Sequence, residues 1–499
     1  MSEEWCCEKL ENLKIKENRI NTLQEIRVKL NMVTNLEAVV TNKLLSAPEI
    51  YECLEEPEDV GNQSEQLDLA SDILSICMTN LSISQNDLPR LLQRSICHVN
   101  PKIRALALNT ILRELQTHVS KNEEEEATIG DDLLLHVLNA LLETETSVGV
   151  SAVGILSIVL EHKIEENFVK EALLKTLKSN EVVKCRVFEL AVNLAKRSPA
   201  TLKKVEYLLD AALAELDNDD VLVQVNILEI FVSLTEQNHG LLYLDKRQVF
   251  AVLSRRVEAL EQQPLDRLLV PGIMKFFGKS ACFQPQKMLT GYPHMIECLF
   301  ECLRSGDSSI LPIAFDTLAN LAKTQQGKLL LEANYSATLK KIFREFAAHL
   351  RNLSSDLKNR AFISLEHIFA VEGEVTVEMN EILQKWFTYL AGTPNMQFIM
   401  DFCRNPFPDI KVACLSFIKS ICHYTWGVMA LKDTAGFVEY LLDRKIEFNK
   451  DAKYAKYEVL KLLAQSSVFD LQTQLQLQTY INEGPYYVPS SMEIAVEGN

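Results

Sequence analysis

The 499-residue sequence predicts an all-α fold made of stacked helical hairpins. One amphipathic pattern recurs about every 43 residues, a second set of amphipathic stretches lies between its copies, and no convincing series of strands is visible. Each copy opens with a turn-favouring residue and an apolar residue, here termed the anchor. Further apolar or small residues follow, mostly four, seven, eight and eleven positions on, which is one face of an α-helix.

The anchors are spread over most of the chain, and their mean spacing of about 43 residues falls within the roughly 40 to 47 residues of HEAT and armadillo repeats. They are Leu69, Ile103, Val148, Val183, Val223, Leu269, Ile310, Leu357, Ile410 and Ala455. The sequence therefore predicts a HEAT/armadillo-like α-solenoid of about ten two-helix repeats. Core residues that the pattern predicts include Val183, Val187, Phe276, Phe277, Ile410 and Phe417.

The stretches between the anchors supply the second helix of each hairpin, for example at 131–143, 168–178, 202–216 and 295–304. A single hairpin cannot bury its apolar face, so stacking on neighbours is needed to build a continuous core. We therefore expect one superhelical domain over residues 1–480, with irregular helices in about the first 60 residues, whose concave wall is the natural binding surface. Residues 481–499 are expected to form a tail or a cap.

The net charge and the positions of the cysteines indicate which kinds of partner the protein binds and in which compartment it works. The net charge of −17 repels nucleic acid and anionic membranes and favours partners with basic surfaces. The first ten residues lack the apolar core of a secretory signal, and the weakly polar stretch 147–160 is shorter than the roughly 20 residues that cross a bilayer. Twelve cysteines lie mostly on apolar helical faces, as reduced cysteines do. We expect a cytoplasmic protein, with the nucleus as a second compartment.

No motif in the sequence points to catalysis, a cofactor or a metal. His294, Cys298 and Cys302 recur every fourth residue, but a helix separates the first from the last by roughly 12 Å, too far for ligands of one zinc ion. Residues 272–280 read G-x-x-x-x-x-G-K-S, one residue longer than a P-loop, and carry Phe276 and Phe277 where such a loop is small. The sequence predicts helix there, and a protein that is not an enzyme.

Six blocks of sequence keep the order and approximate spacing of one known family. They are EVVKCRVFEL at 181–190, VPGIMKFFG at 270–278, GFVEYLLDR at 436–444, KDAKYAKYEVLK at 450–461, EGPYYV at 483–488 and AVEG at 495–498. These blocks resemble the 26S proteasome non-ATPase regulatory subunit 5 family, the chaperones that assemble the base of the proteasome regulatory particle. The resemblance covers most of the chain from about residue 100.

The resemblance implies a non-catalytic chaperone that is absent from the mature proteasome. The partners that it implies are the C-terminal domain of one proteasomal AAA-ATPase subunit, a second ATPase subunit in the same module, and the large non-ATPase scaffold subunit. Neither nucleic acid nor membrane is expected to bind, and no cofactor is expected. A generic HEAT/armadillo scaffold or transport adaptor would use the same architecture and stays open as the alternative.

The candidate contact residues lie in the C-terminal blocks, where lysine and tyrosine recur at helical spacing. They are Lys450, Lys453, Tyr454, Lys456, Tyr457, Tyr486 and Tyr487. The spacing of the first five residues predicts either an exposed contact face or a merely solvated helix surface. Gly484 and Pro485 break the helical pattern, so the two tyrosines that follow either fold back as a cap on the last repeat or form an interaction tail.

Overall fold

The computed structural model describes residues 2–33, 37–54, 63–79, 88–120, 129–393 and 395–488. Within these ranges the regular structure is helical, with no strand, which confirms the predicted all-α class. The helices group into two compact units, Met1–Asp217 and Asn218–Asn499. None of the helices in these ranges is both long enough and apolar enough to span a membrane.

In the first unit the helices that carry anchors pack on one another in chain order. The helices described there are α1 (Glu3–Leu13), α2 (Arg19–Met32), α3 (Ala38–Ser46), α4 (Pro48–Glu52), α5 (Gln63–Thr79), α6 (Leu88–Ile96), α7 (Pro101–Ser120), α8 (Asp131–Ala140), α9 (Thr146–Lys163), α10 (Asn167–Thr176), α11 (Glu181–Ala195) and α12 (Pro199–Ala214). Helix α5 contacts α7, α7 contacts α9, and α9 contacts α11, while α8 and α10 pack beside each other. Each period of the sequence is therefore one hairpin of the stack.

The second unit repeats this arrangement in two rows of helices. Its helices are α13 (Val221–Val232), α14 (Asn238–Lys246), α15 (Val249–Glu258), α16 (Val270–Phe283), α17 (Pro285–Gly291), α18 (Pro293–Arg304), α19 (Leu311–Leu321), α20 (Gln325–Leu350), α21 (Ser355–Phe369), α22 (Val377–Ala391), α23 (Gln397–Cys403), α24 (Pro408–Ile421), α25 (Thr425–Lys432), α26 (Phe437–Leu442), α27 (Lys450–Gln465) and α28 (Leu471–Glu483). Helices α13, α16, α19, α21, α24 and α27, the anchor helices, each pack on the next. Helices α15, α18, α20 and α22, the outer helices, do the same.

The residues that open each copy of the pattern explain where the helices begin. The side-chain oxygen of Asn180 accepts a hydrogen bond from the backbone N–H of Val183 (3.0 Å), and Asn449 caps α27 in the same way. Such caps satisfy backbone donors that the first turn of a helix leaves unpaired. Proline occupies the first turn of α12, α16 and α18, where its missing N–H costs no hydrogen bond.

The core follows the predicted register in most repeats. Six residues that the sequence places inside are at most 2% exposed: Val183, Val187, Phe276, Phe277, Ile410 and Phe417. The last repeat differs, because Ala455 is only half-buried. The buried positions of α27 are Ala452, Lys456, Val459, Leu460, Leu463 and Ala464. The pattern there begins at Ala452, three residues earlier than predicted.

The P-loop-like stretch 272–280 and the His294, Cys298 and Cys302 series both lie on helices. Residues 272–280 fall inside α16, as predicted. A Cβ atom at Gly278 would lie 3.0 Å from the Cα atom of Thr317, so glycine permits the close approach of α16 and α19. Cys298 and Cys302 are buried in α18, and His294 is exposed at its start. In the described part of the chain, no three His, Cys, Asp or Glu residues are grouped so that they could hold a metal ion.

Candidate partner-binding surfaces

The lysines and tyrosines of α27 divide between its surface and its core. Lys450 is exposed, the side chain of Tyr454 is 51% exposed, and Lys453 is half-buried one turn before Tyr457. The Tyr457 hydroxyl donates a hydrogen bond to the Ile481 carbonyl (3.4 Å), so this ring packs against α28. The surface available to a partner is therefore centred on Lys450, Lys453 and Tyr454. Tyr457 packs behind it, against α28.

Lys456 does not lie on that face, and the prediction that it does is wrong. The residue is 1% exposed, and its Nζ donates a hydrogen bond to the Asp443 carbonyl (2.5 Å) at 5.1 Å from the centroid of the Tyr440 ring. Burial lowers the pKa of this amine to about 8, against the opposing effect of the Glu447 and Asp443 carboxylates. Lys456 therefore stabilises the packing of α27 against the segment that follows α26.

A second buried lysine, Lys328, has the same kind of role in α20. Its Nζ donates hydrogen bonds to the carbonyls of Ala322 and Ala370 (2.9 Å to the latter), which follow the ends of α19 and α21. Burial lowers the pKa of this amine also to about 8. The sequence gives no signal for the burial of Lys328, because a lysine near the start of a helix normally predicts a solvated position.

The described tail, residues 484–488, folds back on the last helices around one arginine. The Arg444 guanidinium lies 3.5 Å from the centroid of the Tyr480 ring and donates hydrogen bonds to the carbonyls of Gly484 (2.8 Å) and Tyr480 (3.0 Å). Gly484 has φ of +83°, a conformation that favours glycine and turns the chain after α28. Tyr486 and Tyr487 remain exposed, so the tail packs on the last repeat and still presents two rings to solvent.

A second surface lies along the anchor helices of the second unit. A groove of about 460 Å³ crosses α13, α16, α19 and α21. Its polar lining consists of Glu229, Lys275, Lys279, Asp316, Thr317, Asn320, Arg360 and His367. Ion pairs join successive helices across it, one between Glu229 and Lys275 and one between Asp316 and Arg360 (2.6 Å). The pairing of Lys419 with Glu458 (3.0 Å) continues this series between α24 and α27.

The charged residues of this groove recur at one position of the repeat pattern. Glu229, Lys275 and Asp316 each stand six residues after an anchor, and Glu458 stands six residues after Ala452. That position lies between the apolar positions of the helical pattern and so faces away from the core. The groove offers charged groups of both signs, which suits a polar surface of a protein partner better than a small apolar ligand.

The stacked hairpins define a helical-repeat protein of the α-solenoid class. The chain belongs to the family described as Proteasome non-ATPase 26S subunit, whose model matches residues 2–499. It is 40% identical over 501 residues to the 26S proteasome non-ATPase regulatory subunit 5 of Drosophila melanogaster, with 100% of this chain and 99% of that protein covered. The protein of the same name from Homo sapiens is 29% identical over 421 residues, with 82% of each chain covered. The family resemblance is confirmed, and the protein has a proteasome-associated role.

The solved structures that align with this chain are helical-repeat proteins. Kap121p bound to Pho4p gives a TM-score of 0.46 at 11% identity, covering 93% of this chain and 49% of that one. A designed armadillo repeat protein gives a TM-score of 0.39 at 16% identity, covering 51% of this chain and 99% of that one. Both scores are below 0.5, so the fold described above rests on the packing of this chain's own helices.

Proposed function

We propose that this protein is a non-catalytic chaperone that promotes or regulates assembly of the base of the proteasome regulatory particle and is absent from the mature proteasome. The observation that carries the proposal is the match of residues 2–499 to a family of proteasomal non-ATPase subunits. The proposed site of action is the cytoplasm, with the nucleus as a second compartment. A chaperone of this kind occupies a docking surface of its client and leaves when that surface is used.

The proposed client is the C-terminal domain of one proteasomal AAA-ATPase subunit. A second ATPase subunit and the large non-ATPase scaffold subunit belong to the same module. Stacked hairpins suit the task, because a row of helices presents a continuous surface on which a small domain can be held. Holding the client this way delays its docking without any covalent chemistry.

The proposed contact surface comprises Lys450, Lys453, Tyr454 and the two exposed tyrosines of the tail. Residues 404–461 contain ten Lys and Arg against seven Asp and Glu, in a chain whose net charge is −17. This part of the second unit therefore favours a partner with an acidic surface. Exposed aromatic rings are typical anchors of protein interfaces, and Arg444 already holds the tail in place. Such preorganisation lowers the entropic cost of binding.

The test is to immobilise the protein, incubate it with a cell extract, and identify the co-purifying chains by mass spectrometry. We expect proteasomal ATPase subunits and the large scaffold subunit, without the proteolytic core particle. Recovery of nuclear transport factors or phosphatase subunits in place of ATPase subunits would support the scaffold or adaptor alternative instead.

A further inference from the structure

Four exposed cations lie on the second half of the outer helix α20 and at the residue that follows its end. Lys340, Lys341, Arg344 and Arg351 have no ion pair and no side-chain hydrogen bond to any described residue. The neighbouring cation Lys385 of α22, by contrast, is paired with Glu332 of α20. Lys340 and Arg344 stand four residues apart, where like charges repel on a helix. An unpaired basic row in a chain of net charge −17 is therefore an unusual feature of this surface.

The helices beneath these cations are held firmly in place. The rings of Phe343 and Trp386 pack with centroids 5.6 Å apart, and the Trp386 indole donates a hydrogen bond to Glu332 (2.7 Å). Burial alone would raise the pKa of Glu332, but hydrogen bonds from Lys385, Trp386 and Ser336 outweigh it and lower the pKa. This carboxylate is thus ionised and already fully engaged, so it does not neutralise the row on α20.

Tyr389 of α22 adds an aromatic group to the same surface. The Nζ atoms of Lys340 and Lys385 lie 5.6 Å and 5.9 Å from the centroid of its half-buried ring. The ring therefore sits between two cations contributed by two different helices. A binding segment would contact an apolar ring flanked by positive charge. This combination selects a ligand more specifically than a row of solvated lysines does.

We propose that this basic face, defined by Lys340, Lys341, Arg344, Arg351, Lys385 and Tyr389, docks an acidic segment of a partner protein. The row on α20 spans about 16 Å, the length of an eleven-residue helix or of about five extended residues. Carboxylates of the segment pair with the free cations, and one of its apolar side chains packs on Tyr389. A segment with a few localised carboxylates is favoured over nucleic acid and anionic lipid, because the repulsion from the chain's net charge of −17 grows with the number of negative charges on the ligand.

The basic face goes beyond the proposed function and does not depend on it. It lies on the outer helices of the second unit, whereas the groove lined by Glu229 and Arg360 lies on the anchor helices. The basic face and the groove are therefore formed by different helices.

The test uses the full-length protein and a fluorescein-labelled peptide of about 15 glutamates, with binding followed by fluorescence anisotropy in about 50 mM NaCl. The reversed variant is Lys340→Glu, Lys341→Glu and Arg344→Glu. Its matched control reverses three exposed lysines of the first unit, Lys102→Glu, Lys175→Glu and Lys178→Glu, so that both variants have the same net charge. A glycine–serine peptide of equal length, a single-stranded RNA and phosphatidylserine vesicles are the competing probes.

We expect the glutamate peptide to bind the wild type, to lose affinity at least about tenfold in the reversed variant, and to lose less than about threefold in the control. A variant with glutamine at the same three positions should show an intermediate loss. Equal losses in the reversed and control variants, or no binding of the glutamate peptide to the wild type, would overturn the proposal. Tighter binding of the RNA or the vesicles that depends on these cations would overturn it also.

Discussion

Replacing the buried Lys456 with methionine should change how the stability of the second unit depends on pH. The amine is 1% exposed, and burial lowers its pKa to about 8, from an unperturbed 10.5. Methionine has a similar shape and no titrating group. The difference in unfolding free energy between the wild type and Lys456→Met therefore isolates the titration of this one amine, since all other groups are present in both proteins.

The direction of the change in stability with pH follows from whether the folded or the unfolded state binds the proton on Lys456. Between pH 8 and 10.5 the unfolded chain holds a proton on Lys456 that the folded unit has released, so the stability of the wild type rises with pH in this window. Below pH 8 both states are protonated, and this stabilising contribution is lost. The slope approaches about 1.4 kcal/mol per pH unit. From about pH 7 to pH 9.5, the wild type should gain about 2 kcal/mol relative to Lys456→Met.

Urea unfolding at the two pH values measures this change. In a Trp5→Phe background, the remaining fluorescence comes from Trp386 and Trp426, which are both buried and both in the second unit. Lys450→Met, at an exposed position of the same helix, is the matched control and should show no comparable pH-dependent difference. A difference between the wild type and Lys456→Met that is independent of pH would refute the reasoning, because it would mean that the amine is not desolvated.

Two further predictions concern the core and the proposed contact face. Phe277→Ala should lower the unfolding free energy of the second unit by about 3 to 5 kcal/mol in the same urea assay, because it leaves a cavity in a fully buried site. Phe283→Ala, on the same helix at a residue 52% exposed, should change it by less than about 0.5 kcal/mol. Lys453→Glu with Tyr454→Ala should weaken binding of the ATPase C-terminal domain by about 1 to 2 kcal/mol in calorimetry, with unfolding unchanged. Unchanged affinity in that folded variant would exclude this face of α27 as the contact and make the anchor-helix groove the next surface to test.

The helical repeats were predictable because their signal is local. The spacing of apolar residues around Val183 and Ile410 gives the buried face of each helix without knowledge of its neighbours. The last repeat was misplaced by three residues for a physical reason. Its pattern contains Lys456 at a core position, and lysine is almost never fully buried without a partner. The partner is the Asp443 carbonyl, a backbone group that no side-chain pattern reveals.

The surfaces were harder to predict, because they are assembled from residues far apart in the sequence. Asp316 and Arg360 belong to different repeats, and their pairing depends on how α19 stacks on α21. The spacing of six residues after an anchor marks which side chains face outward, but it does not show which of them meet. Likewise, Tyr389 lies between Lys340 and Lys385 only because α20 packs on α22.

The central claim is that the protein binds free proteasomal ATPase subunits and leaves before the proteasome is complete. Native-gel fractionation of a cell extract, followed by immunodetection of this chain and of the ATPase subunits, tests it most directly. We expect the chain to migrate with ATPase subunits in particles smaller than the regulatory particle, and to be nearly absent from active proteasomes that carry two regulatory particles. Stoichiometric presence of the chain in those active proteasomes would contradict the claim and identify it as a permanent subunit.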